Sequence, residues 1–273
     1  MKFYLSVDME GISGLVDDSF IDSSKRHYER GQEIMTEEAN HVIESAFGCG
    51  CSAITVNDSH SKMNNLLFEK LHPEARLISG DVKPYSMVQG LDSTYEGMGM
   101  IGYHARAGTP GAMSHSMFHN VRNFYINEQV VGELGMNAYV AGYLGVPVLF
   151  AAGDDRAALE AEQLIPNITT AVVKESISRS SALLFSPHKT ERILREQTEK
   201  AFVNRHNVEP LVPPREPDLR IEFTNYGQAE WASLMPGVEI ETETTVKYQA
   251  KNMLEAYRAM LVMTELASRT TFS

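Results

Sequence analysis

Two carboxylates stand two residues apart where the first apolar run of the chain ends, in Lys2-Phe3-Tyr4-Leu5-Ser6-Val7-Asp8-Met9-Glu10-Gly11. On an extended backbone such side chains leave the same face, so Asp8 and Glu10 project together and repel unless a cation sits between them. Other apolar runs end in a similar way. Asp58-Ser59-His60 follows Ala53–Asn57, His104 closes the glycine-rich run Gly97–His104, and Glu133 opens a helix beyond a long loop. Two imidazoles and three carboxylates converging on one edge form a ligand set for a divalent transition metal, with zinc favoured by that mixture. Three acids exceed the needs of one tetrahedral ion, so the set implies two metals, ~3.5–4 Å apart in the usual binuclear geometry, with Asp8 the natural bridge. Each residue alone has a plainer account. A D-x-E-G sequence can be a polar strand end entering a turn, and a carboxylate in a first helical turn is favoured by the helix dipole. Their shared position is harder to reach by chance.

The elements that must position these residues follow from periodicity. The run at the N-terminus has strand length, and nothing precedes it to cover it, which predicts a central strand whose carboxyl end opens into a crevice. Apolar residues at helical spacing over Tyr28–Phe47, closed by Gly48, predict a helix, and Ala53–Asn57 a buried strand. That βαβ unit makes the first two strands parallel and puts both polar clusters on one edge. Met63–Leu71 reads as a short amphipathic helix, Ala75–Gly80 as a short strand, and Gly97–His104 as a strand packed closely on a neighbour. The segment Ala105–Asn120 has no sustained period and reads as a functional loop carrying His115 and His119.

Beyond it, Val121–Ile126 and Val130-Val131 predict a hairpin, and a helix starts near Gly132-Glu133. Val146–Ala151 and Ile168–Val173 predict buried strands flanking a helix over Ala157–Leu164, for which Asp154 or Asp155 is the expected N-cap. Lys174–Ser181 reads as a polar loop reaching towards a site or a neighbouring subunit. A helix over Pro187–Phe202 leads to a proline-stiffened linker, 208–217. Past it, strands over Leu219–Phe223 and Val238–Thr242 alternate with helices over Gln228–Leu234 and Tyr248–Ala267, whose methionines read as core filler. The expected fold is therefore α/β: a mostly parallel, Rossmann-like sheet in three layers over 1–207, with a smaller C-terminal α+β subdomain over 208–273.

Bulk properties narrow the function. A formal charge of −12 argues against nucleic acid or an anionic membrane as the main partner, while leaving room for a cation site. No apolar run reaches membrane-spanning length and the N-terminus lacks the features of a signal peptide, so the expected compartment is the cytoplasm. Cys49 and Cys51 are too few for a thiolate zinc site and lack redox spacing. His72, beside Pro73, reads as a cap or surface group. Asp58 is expected either to orient His60 or to cap its turn.

The motifs S-V-D-M-E-G at Ser6–Gly11, N-D-S-H at Asn57–His60, G-Y-H-A-R-A at Gly102–Ala107, S-H-S-M at Ser114–Met117 and G-E-L-G at Gly132–Gly135 give the chain a close resemblance to the zinc-dependent D-aminopeptidases. The likeness extends through A-G-D-D-R-A at Ala152–Ala157 and N-Y-G-Q-A-E-W at Asn225–Trp231. It implies zinc ligation by Asp8, Glu10, His60, His104 and Glu133, with two zinc ions per subunit and His115 as the catalytic residue, working either in proton transfer or as a covalent nucleophile. It also implies a ring-shaped homodecamer with an internal chamber, and short peptides with an N-terminal D-residue, D-alanyl dipeptides in particular, as substrates. His119 is a weaker candidate, as a partner to the site.

Two other functions compete. Another binuclear hydrolase such as a phosphoesterase would need a basic phosphate cradle, which the sequence lacks. A dipeptide-binding transport component would need export, and no export signal is present.

Overall fold

The computed structural model describes residues 1–270. Strands β1 (Lys2–Val7), β2 (Ala53–Asp58), β3 (Ala75–Ile78) and β4 (Gly97–Tyr103) are joined by β7 (Val148–Asp154), β8 (Thr169–Ser178) and β9 (Ser181–Leu184) in one sheet. Its order is β3-β2-β1-β4-β7-β8-β9, parallel except for β9. β1 lies between β2 and β4, so the chain reverses its direction of travel across the sheet there. The crevice beyond the carboxyl ends of β1 and β4 is the switch point where open α/β sheets bind ligands. Helices α1 (Tyr28–Gly48) and α4 (Pro187–Asn204) pack on each other, while α2 (Glu133–Tyr143) packs against α3 (Asp155–Leu164) and α6 (Met253–Ala267).

Alternation along β1 explains why Asp8 reaches the crevice. Phe3, Leu5 and Val7 are fully buried, and Phe3 meets Phe202 of α4 edge-on at 5.0 Å. Each such side chain contributes ~1.5–3 kcal/mol of burial, enough to anchor the strand despite the acids at its end. Tyr4 and Ser6 leave the other face, and the Ser6 hydroxyl lies 2.7 Å from the Tyr103 hydroxyl and 2.8 Å from that of Ser59. Asp8 is next in that row. The same polar seam crosses layers: Tyr257 of α6 donates to Asn137 of α2, which donates to the Tyr103 hydroxyl, both at 2.8 Å.

A second, antiparallel sheet has the order β11-β12-β10-β5-β6. Its strands are β5 (Val121–Ile126), β6 (Gln129–Val131), β10 (Asp218–Phe223), β11 (Glu239–Ile240) and β12 (Thr245–Gln249), with α5 (Tyr226–Ala232) alongside. Segment 121–131 thus supplies two of its five strands, and the sheet draws on both sides of the expected 207/208 division. Most expected elements are present within a few residues. Met63–Leu71 is the first exception, forming only one 3-10 turn, Phe68–Lys70. The amides of Asn65 and Leu66 donate to the Asp58 carboxylate at 2.5 and 2.7 Å, which diverts this backbone from helix. The second is Lys174–Ser181, which lies mostly in β8 and β9, a hairpin on the edge of the sheet, and not in a free loop. The third is Tyr248, which belongs to the unanticipated β12. The last helix starts only at Met253, where the Asn252 side chain accepts from the Glu255 amide at 3.0 Å.

Candidate metal centre

The ends of β1 and β4 are locked together by glycines. The Gly11 amide donates to the Gly102 carbonyl at 2.6 Å, and the Asp8 amide to the Ile101 carbonyl at 2.8 Å. A Cβ on Gly11 would lie 2.0 Å from the Tyr103 oxygen, and one on Gly102, which has φ +72°, 2.1 Å from the Asp8 oxygen. Only glycine permits this approach. It brings Asp8 and His104, which leave adjacent strands, to the same point.

All five expected ligands are buried and meet there: Asp8, Glu10, His60, His104 and Glu133. Asp8 divides them into two groups. Its Oδ1 lies 3.4 Å from His60 Nδ1, which is 3.1 Å from Glu10 Oε2. Its Oδ2 lies 3.5 Å from His104 Nε2, which is 3.4 Å from Glu133 Oε1. Tetrahedral zinc with bonds of 2.0–2.1 Å separates its donor atoms by about 3.3 Å, so these spacings suit an ion in each group.

Tautomer logic points the same way. His60 Nε2 is 2.9 Å from the Ile21 carbonyl, and His104 Nδ1 is 3.0 Å from the Ala105 carbonyl. Each carbonyl can only accept, so it fixes the ring proton on that nitrogen and turns the lone pair of the other nitrogen towards carboxylates. A lone pair facing carboxylates is repulsive without a cation between them. Asp8 Oδ2 and His104 Nε2 are both buried without a hydrogen-bond partner, as expected of atoms that bind a metal.

The carboxylates and imidazoles perturb one another strongly. Burial, then neighbouring Glu10, pushes Asp8 well above the usual carboxylate range. Burial would also lift Glu10, but His60, His115 and His104 outweigh it and hold the carboxyl well below that range. His104 is pulled down by burial and raised further by Glu133, Glu10 and Asp8, to about 10. The set holds positive charge tightly, whether as protons or as metal.

His115 sits on the loop beside this cluster. Its Nδ1 is 3.0 Å from the Met113 carbonyl, and its Nε2 faces Glu10 Oε1 and Glu133 Oε1, each at 3.8 Å. Donor atoms of His104, His115 and Glu133 all fall within 4.8 Å of one another. A cavity of about 360 Å³ opens over the cluster, lined by the acids, His60, His115 and His119.

Three comparisons bear on this geometry. The sequence profile of the D-aminopeptidase family matches residues 1–262. The chain belongs to the D-aminopeptidase family. Its members are hydrolases of the peptide bond, and neither the phosphoesterase nor the transport-component reading gains support. A D-aminopeptidase of Bacillus subtilis (strain 168) is 68% identical over 273 residues, covering 100% of both chains. A solved structure described as the Zn-dependent D-aminopeptidase DppA from Bacillus subtilis, a self-compartmentalizing protease, superposes with a TM-score of 0.99 over 100% of each chain, at 68% identity. That match bears out the α/β fold with its mostly parallel sheet.

The remaining candidates sort by their contacts. Asp58 caps the turn after His60, accepting from Asn65 and Leu66, and does not touch the His60 ring. Asp154 caps α3, accepting from the Ala157 amide at 2.7 Å. His72 stacks on Phe47 and accepts from the Glu74 amide. Cys51 is buried, which pushes its thiol up to about 12 and removes it from redox chemistry.

Two lysines near the centre escaped the sequence. Lys83 lines the metal cavity and donates to Asn57 Oδ1 and the Asp58 carbonyl at 2.9 and 2.6 Å. Lys174, fully buried in the middle of β8, donates to the carbonyls of Glu10, Ile12 and Leu15 at 2.6, 2.8 and 2.7 Å. Its one signal is a charge following the apolar run Ile168–Val173, on the edge where the other runs end in the expected ligands.

Proposed function

We propose that Asp8, Glu10, His60, His104 and Glu133 hold two zinc ions with Asp8 shared between them. In this reading the centre releases N-terminal D-residues, D-alanine in particular, from short peptides. The observation that carries it is the division of donors about Asp8, with unpartnered Asp8 Oδ2 and His104 Nε2 facing each other at 3.5 Å. Bound zinc would acidify water near neutral pH and polarise the scissile carbonyl.

His115 does the proton work. Its Nδ1–H is held by the Met113 carbonyl, leaving Nε2 as the base in the cavity. It takes a proton from the attacking water as the C–O bond forms, and returns it to the amine nitrogen as the C–N bond breaks. The carboxylates of Glu10 and Glu133, 3.8 Å from Nε2, stabilise the imidazolium formed in between.

The solved relative is described as self-compartmentalizing, which supports a ring-shaped homodecamer for this chain too, with cavities opening to an internal chamber that admits peptides and excludes folded proteins. Among the described residues no helix is long and apolar enough to cross a membrane, and we place the enzyme in the cytoplasm.

The test is hydrolysis of D-alanyl and L-alanyl p-nitroanilide by the purified protein, before and after chelation and with zinc restored. Zinc-dependent release from the D form alone is expected. Equal rates on both forms, or rates indifferent to chelation, would remove handedness or metal from the proposal.

A further inference from the structure

A second cavity, of about 680 Å³, adjoins the first, and His115 and His119 line both. The volume is in the range of small-molecule sites. Its lining side chains are basic where those of its neighbour are acidic. The metal cavity is lined by Asp8, Glu10 and Glu133, with Asp81 and Glu265 at its margin. The second cavity has Arg156 and Arg179 in its wall and no acidic residue, in a chain with 36 acids against 24 basic residues.

The two arginines differ in their partners. Arg156 is paired with Asp155 at 3.2 Å. Arg179, at the tip of the β8–β9 hairpin, donates through Nε to the Ser114 carbonyl at 3.2 Å and approaches His119 Nδ1 with Nη2 at 3.4 Å. No carboxylate among the described residues pairs with it. The Met113 amide donates to the Arg179 carbonyl at 2.7 Å, so the hairpin tip is fastened to the loop on both sides of His115. An exposed guanidinium held at one backbone carbonyl, with donors left over, is suited to an incoming carboxylate.

We infer that the second cavity seats the leaving residue of the substrate and that Arg179 binds the free C-terminal carboxylate of a short peptide. The inference rests on the proposed peptidase chemistry of the metal centre. A zwitterionic dipeptide then lies with its amino end in the metal cavity, where Asp81 and Glu265 are the acids not used as ligands, its scissile bond at His115 and its carboxylate at the arginine. Exopeptidase action on short chains follows from the two ends together, because a longer peptide carries its carboxylate past Arg179.

The experiment compares kcat/KM of the zinc-loaded enzyme for D-alanyl-D-alanine and for its C-terminal amide. The wild type is expected to favour the acid by about ten- to a hundredfold, the scale of one charge-assisted hydrogen-bonded contact. Arg179→Gln should bring the ratio near one, mainly through KM for the acid, Arg179→Lys should keep part of it, and Arg179→Glu should reverse it. The ratio cancels any disturbance of His115 that lowers both rates. A wild-type ratio near one, or a ratio unchanged in Arg179→Gln, overturns the inference. If the wild type hydrolyses neither peptide nor the p-nitroanilide, the catalytic reading fails instead. Calorimetric binding of the acid and amide to wild type and Arg179→Gln then decides the carboxylate site by the same ratio.

Discussion

The imidazole rings of His104 and His115 lie 4.2 Å apart, centre to centre, and within 7° of parallel. Two stacked imidazoles can share this space only if they do not both carry charge. Burial, then the neighbouring His104, lowers the tendency of His115 to take up a proton, whereas the carboxylates favour the proton on His104. In the proposed reading the stack sets the ligand His104 beside the base His115. His115→Ala should retain both metals and lose about 10²–10⁴-fold in kcat, the usual worth of a positioned general base. Elemental analysis with kinetics checks it; a full-rate variant, or one that has lost metal, would remove His115 from the catalytic role.

Asp8 presents one oxygen to His60 and the other to His104. If it is shared, its loss should be felt in both groups. Asp8→Ala is expected to purify without either metal. His60→Ala and Glu133→Gln should each empty one group preferentially and leave close to one ion per subunit. Zinc content after dialysis against a weak chelator reads this directly, and a normal zinc content in Asp8→Ala would dismiss the bridge.

Glu38 provides a pH test away from the metal centre. Its side chain is buried, accepts from the Ser13 amide at 2.9 Å through Oε1 and leaves Oε2 without a partner. Burial raises its carboxyl to about 7. A folded-state pKa above the unfolded value means that the folded chain favours the protonated form. The cost is therefore absent below about pH 4.5, grows as pH rises and is complete above about 7. Glu38→Gln, which imitates the protonated group, should stabilise the protein by on the order of 2–3 kcal/mol at pH 8, and the gain should fade as pH falls towards 4.5. Thermal melts of both proteins across that window measure it, and a gain that does not change with pH would contradict the assignment.

The residues legible in the sequence were those at which one periodicity ended and a polar group began. Asp8, His60 and His104 follow the ends of apolar runs, which located them, and the βαβ crossover placed Asp8 and His60 on one edge. Glu133 was legible because a helix must start there. Groups that act across long sequence separations were not legible. Lys174 stands 164 residues from Glu10 in the sequence yet donates to its carbonyl, and no local pattern signals that contact. Met63–Leu71 has a helical period, but the Asp58 carboxylate captures its amides, a competition visible only in three dimensions. The antiparallel sheet was half-read for a related reason: pairing of β5 with β10 joins segments about a hundred residues apart.

Lys174 should matter beyond stability. All three donors of its Nζ are spent on the carbonyls of Glu10, Ile12 and Leu15, the segment that carries the proposed ligand Glu10 out of β1 and into the loop. A methionine there keeps length and apolar bulk but strips the donors from three buried carbonyls. Each carbonyl left without a partner costs roughly 1–3 kcal/mol, offset in part because a buried charge is removed as well. Lys174→Met should therefore lower the melting temperature. It should also loosen Glu10, so that zinc affinity, measured by competition with a chelating dye at a temperature where the variant remains folded, falls by about tenfold or more. A lower melting temperature with unchanged zinc affinity would make Lys174 a structural tie alone. Lower affinity, with kcat restored at saturating zinc, would show that it acts through the position of Glu10.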